Sequence, residues 1–168
     1  MRYRGTYLGI LEAAIVCWMV GCGTQEKHVN RDPVFPEDVA TWAEGRPCSF
    51  THEHELRYVR VLVNDKARIP YRELSIDHPY EVGATLVKLE YEDSACSEVI
   101  GYTAMRKEAS GYSEDGHDWH WQRVDAERNV VEDGANLRTC ISCHEHHCSW
   151  PQCGYQKCGF DLTCGIEE

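Results

Sequence analysis

Apolar and polar residues alternate through the middle of the chain with the period of two that belongs to strands. Residues 57–63 (Arg57-Tyr58-Val59-Arg60-Val61-Leu62-Val63) are rich in β-branched and aromatic side chains, and Asn64-Asp65 supplies a turn signal after them. Further runs over 84–91, 99–107 and 118–124 end in Glu92-Asp93-Ser94, in Ala109-Ser110-Gly111 and in a polar turn before Val130-Val131. Consecutive strands with short polar connections predict an antiparallel sheet, because parallel strands need long crossovers. Ahead of them, Pro36 opens residues 37–44, with Glu37 and Asp38 in the first turn, an apolar side of Val39, Ala40, Trp42 and Ala43, and Gly45 and Pro47 as stops. That pattern predicts a short helix with Trp42 as a packing residue. The predicted fold class is α+β, mainly β: an antiparallel sheet with short flanking helices and a cysteine-rich C-terminal tail.

The ends of the chain read differently. Arg2 and Arg4 precede a mostly apolar run from Tyr7 to Val20, followed by Gly21-Cys22. A basic start, a short apolar stretch and small residues describe a signal peptide over 1–21, of the lipoprotein type in which Cys22 takes the lipid. Residues 22–35 are expected to be a polar tether, 36–147 the domain and 148–168 the cysteine-rich tail, too poor in apolar residues to bury a core of its own. The expected location is the periplasmic side of a bacterial membrane or the cell surface, with the N-terminal lipid as the membrane contact. A 42% hydrophobic content is ordinary for a soluble domain, and a formal charge of −11 argues against nucleic acid as a partner.

The chemistry concentrates at Cys140-Ile141-Ser142-Cys143-His144. Two thiols two residues apart, followed at once by histidine, form a c-type haem attachment motif: the thiols bond the porphyrin and the imidazole ligates iron. Zinc is the competing occupant, since His146, His147 and Cys148 follow directly. Of the 10 cysteines, Cys17 leaves with the signal, Cys22 takes lipid, and Cys140 and Cys143 take one haem c. Cys48, Cys96, Cys148, Cys153, Cys158 and Cys164 remain, an even set that predicts disulfides in an oxidising compartment without fixing their pairing.

The blocks Tyr58-Val59-Arg60-Val61-Leu62-Val63-Asn64, Gly83-Ala84-Thr85-Leu86-Val87-Lys88, Gly101-Tyr102-Thr103-Ala104-Met105-Arg106-Lys107, Gly116-His117-Asp118-Trp119-His120-Trp121 and the haem motif occur in that order. Together they resemble the cytochrome P-460 family over about residues 36 to 147. The resemblance implies a β-sheet haem domain, a homodimer, and five-coordinate iron with His144 as the axial ligand and Cys140 and Cys143 as the thioether cysteines. It implies either hydroxylamine oxidation by a haem oxidoreductase with a lysine joined to the porphyrin, or nitric oxide binding without that link, as in the cytochromes c prime-beta. Lys88, in the matching strand block, and Lys66, just after the earlier one, are the candidates for that lysine. His120 stands where the family carries an aromatic residue.

Function turns on the iron's other side. An open position suits small ligands, whereas a second strong ligand from Met105, His117 or His120 would make an electron carrier serving a redox partner protein. Alternation in the fourth strand puts His117, Trp119 and Trp121 on one face and Asp118, His120 and Gln122 on the other, so His120 is expected to look outward if the tryptophans line the core. Glu90, Glu132 and Asp133 are candidate proton acceptors. Three readings follow: a haem protein reacting with or binding hydroxylamine or nitric oxide, a six-coordinate electron-transfer cytochrome, and a zinc or disulfide-rich interaction domain.

Overall fold

The structure, a computed structural model, describes residues 31–51, 57–148 and 161–164. The expected signal, Cys17, Cys22, most of the tether, Cys153 and Cys158 lie outside the described residues. No described helix is long and apolar enough to cross a membrane.

A six-stranded antiparallel sheet runs in chain order: β1 Ala43–Phe50, β2 Tyr58–Val63, β3 Thr85–Tyr91, β4 Gly101–Lys107, β5 Trp119–Asp125 and β6 Val130–Gly134. Helix α1 (Asp65–Glu73) joins β2 to β3, and α2 (Arg138–Cys148) follows β6. The fold is α+β, mainly β.

Strands β2 to β5 lie where the sequence pattern placed them, and alternation assigns their faces. Val61, Val63, Leu86, Met105, Trp119 and Trp121 form the front face, packed against Tyr71 of α1, Ile141 of α2 and Leu162. Leu62, Val87, Leu89, Ala104 and Val124 form the back face, covered by Phe35 and Val39 of the N-terminal segment. Both faces therefore carry a buried apolar cluster, the front one covered in part by the two helices.

Two elements depart from expectation. The helix predicted over 37–44 is a single 3-10 turn, Val39–Thr41, and the chain is extended from Ala43 onward. Residues 43–50 serve as an edge strand, where Pro47 costs no inner ladder bond and register shifts absorb the irregularity. Gly45 is required there by close approach: a Cβ would sit 2.8 Å from the Tyr71 ring. Conversely, the turn signal at Asn64 is a helix N-cap. Its side chain accepts a 3.1 Å bond from the Ala67 amide and starts α1, which tolerates Pro70 and closes on Leu74 in the left-handed conformation.

Candidate functional site

Helix α2 begins where β6 ends, and its spacing does the first part of the work. Cys143 and His144 follow Cys140 by three and four residues, and Cys148 follows His144 by four, so one face of the helix carries them all. Fully buried Ile141 anchors the helix to the front-face core and thereby fixes the direction of that face. Cys140, Cys143 and His144 line a cleft of about 290 Å³ between α2 and the sheet.

Strand register builds the cleft's other wall. Arg46 pairs with Val61, Val61 with Lys88, Lys88 with Thr103, Thr103 with Arg123, and Arg123 with Glu132, so one lateral row crosses all six strands. Arg46, Lys88 and Arg123 of this row line the cleft, giving it a cationic band. The neighbouring row, Leu86, Met105 and Trp121, is apolar. A long planar group with an apolar body and anionic edges matches such a pair of rows.

The histidine is oriented from outside the helix. The Leu162 carbonyl lies 2.6 Å from His144 Nδ1 and can only accept, so Nδ1 carries the proton and Nε2 keeps the lone pair that a metal needs. The Trp121 ring meets the imidazole edge-on at 4.9 Å. Trp121 Nε1 is buried with no hydrogen-bond partner among the described residues, a donor that an occupant of the cleft would satisfy.

Two disulfides are present among the described residues, Cys48–Cys96 and Cys148–Cys164, and neither uses Cys140 or Cys143. Burial pushes the Cys140 thiol above its ordinary range, against lowering from the Thr139 hydrogen bond and the nearby Arg123 and Lys88 charges. The donor set fits a covalently bound haem: two cysteines outside both disulfides, an imidazole in the ligating tautomer, an unsatisfied indole donor and cations for carboxylates. It fits zinc less well. Cys148 is committed to its disulfide, and no three His, Cys, Asp or Glu side chains cluster for a metal among the described residues.

The remaining candidates separate cleanly. Lys88 lines the cleft, while Lys66 bonds the Val82 carbonyl at 2.7 Å away from it. Among the carboxylates, Glu90 lines the cleft and meets Arg57 at 3.7 Å; Glu132 pairs with Arg123 at 2.9 Å; Asp133 is turned to the back face. Met105 lines the cleft and His117 does not: half-exposed in its turn, His117 reaches Asp161 at 3.2 Å.

His120 is on the back face, as alternation required, yet it does not look outward. It is buried, with Tyr112 Oη 2.5 Å from Nδ1 and Asp133 Oδ1 2.7 Å from Nε2. Gln122 donates to the same Asp133 oxygen at 2.7 Å, and Arg31 pairs with the other. The back face is covered by the N-terminal segment, so an outward residue there finds polar partners instead of water. Burial raises the Asp133 carboxyl, and the bonds from Gln122 and His120 more than offset it, leaving the group below its ordinary range.

Several site groups carry no motif. The cationic row becomes visible only once strand register is known, and the Leu162 carbonyl has no sequence signal beyond the cysteines that flank its connection. No protein-family model and no curated protein matches the chain.

Proposed function

We propose that the chain is an exported, lipid-anchored monohaem c-type protein resembling the cytochrome P-460 family, which reacts with or binds small nitrogen compounds such as hydroxylamine and nitric oxide. The observation that carries this reading is the convergence on one cleft of two cysteines three positions apart on one helix and a histidine whose Nδ1 proton is already engaged. Cys140 and Cys143 would hold the haem covalently, His144 would ligate its iron, and Arg46, Lys88 and Arg123 would face its carboxylates. When bound, the haem supplies an iron position for small ligands and one-electron chemistry.

The chain's own residues supply the rest. The apolar row of Leu86, Met105 and Trp121 excludes water from one side of the cleft. Glu90, which lines the cleft near Arg57, would be the carboxylate that accepts a proton there. Lys88, which lines the cleft, would be the lysine joined to the porphyrin in the hydroxylamine-oxidising form of the reading.

Met105 favours a second reading, electron transfer, because its thioether lines the same cleft as His144. The ferrous spectrum of the protein expressed with cytochrome c maturation separates the two. A high-spin spectrum that changes on adding nitric oxide supports the open site, and sharp low-spin bands unmoved by nitric oxide support ligation by Met105. No haem absorbance contradicts both. A Soret band shifted to long wavelength is expected if Lys88 is joined to the porphyrin, and Lys88→Ala must then return it to the ordinary position; an unchanged shift excludes Lys88.

A further inference from the structure

Residues 161–164 lie beyond the motif and beyond the reach of the family resemblance, yet each is fastened to a different part of the domain. The Asp161 carboxylate takes Lys107 Nζ at 2.6 Å, and its carbonyl accepts from Trp119 Nε1 at 2.9 Å. Leu162 is buried in the front-face core. Thr163, also buried, shares a 3.0 Å hydrogen bond with the Tyr80 hydroxyl. Cys164 is joined to Cys148, one helical turn beyond His144.

Asp161 and Leu162 are both left-handed, with φ of 54° and 62°. Two successive non-glycine residues adopt that conformation only when their surroundings over-determine it. What the fastening achieves is the position of one atom: the Leu162 carbonyl oxygen, 2.6 Å from His144 Nδ1.

We infer that residues 161–164, pinned by the Cys148–Cys164 disulfide and the Tyr80–Thr163 bond, are a clamp that fixes the His144 tautomer and sets the redox preference of the metal it ligates. Leu162 is thus a positioning residue acting through its backbone. The inference deepens the haem reading and rests on it for its redox half. An acceptor on Nδ1–H makes the imidazole a stronger donor at Nε2, which stabilises the more highly charged metal state. Releasing the clamp should move the equilibrium toward ferrous iron.

The test uses the full chain carrying Cys148→Ser and Cys164→Ser together, and separately Tyr80→Phe, which leaves the disulfide in place. In the haem-loaded double variant the ferric/ferrous equilibrium is expected to shift about tenfold toward ferrous, a rise of about 59 mV for one electron. Tyr80→Phe should give a smaller shift of the same sign. In the full chain made without haem, nitrogen NMR of His144 should show the proton on Nδ1, and both variants should move population to Nε2. If the double variant does not fold, Tyr80→Phe decides on the same two readouts.

An Nδ1 tautomer that both variants leave untouched overturns the clamp. So does a changed tautomer with an unchanged potential. If haem never attaches to the intact chain, the functional reading fails at that point, and the redox half of the clamp fails with it, while the tautomer measurement still decides the structural half.

Discussion

His120 and Trp121 are neighbours on β5 that face opposite ways, and the two sides of the sheet put them to different uses. Trp121 packs on His144 in the cleft, while His120 is enclosed with Tyr112, Asp133 and Gln122 on the back face. Asp133 is the centre of that group, its side chain 1% exposed. Replacing it with Asn removes the charge that His120, Gln122 and Arg31 all address, and should destabilise the fold by about 3 kcal/mol at neutral pH in urea unfolding. The pH dependence has a definite sign. Asp133 is held below the ordinary carboxylate range, so its contribution is present above about pH 4 and is lost as pH falls through its own lower value. Asp133→Asn should therefore flatten the acid limb of the stability curve; an unchanged limb would assign the acid sensitivity to other carboxylates. At this scale the grouping of Cys140, Cys143 and His144 was the most legible feature, because their spacing is local in sequence. The role of His120 was not, because whether the residues opposite a core face meet water or another segment depends on what covers them.

Among the elements, strands β2 to β5 were legible because both the period of two and the residue types point the same way. Strand β1 and helix α1 were not, for opposite reasons. Gly45 and Pro47 look like terminators yet sit in an edge strand, where a missing donor and a missing Cβ are tolerated. Asn64-Asp65 looks like a turn because the same side-chain acceptor caps a helix. What holds β1 in place is partly covalent: Cys48 on the strand is joined to Cys96 in the loop after β3, 48 residues away. Removing a cross-link of that span by Cys48→Ala and Cys96→Ala together should cost about 4 kcal/mol in chemical denaturation. Because neither cysteine lines the cleft, the haem spectrum of the folded variant should match the parent's. A changed spectrum would mean that β1, which contributes Arg46 to the cleft, is positioned by the disulfide rather than by its pairing with β2.

In the whole molecule, a single sheet has an apolar cluster on each face, and α2 with residues 161–164 bounds the cleft on the front one. Sequence could announce the thiols and the imidazole but not the wall opposite them, since Arg46, Lys88, Thr103 and Arg123 come from separate strands and meet only through register. Nor could it show that the chain past Cys148 returns to hold His144, because that contact depends on a disulfide chosen from many pairings. Cys140, Cys143 and His144 are proposed to form one haem attachment site. The mass of the purified chain, denatured in acid after expression with cytochrome c maturation, decides it. One haem added to the mass of the polypeptide is expected, carried on the peptide containing residues 138–148 and absent when Cys140 and Cys143 are both serine. A chain that leaves acid with no haem attached, or with haem on a different peptide, would contradict it.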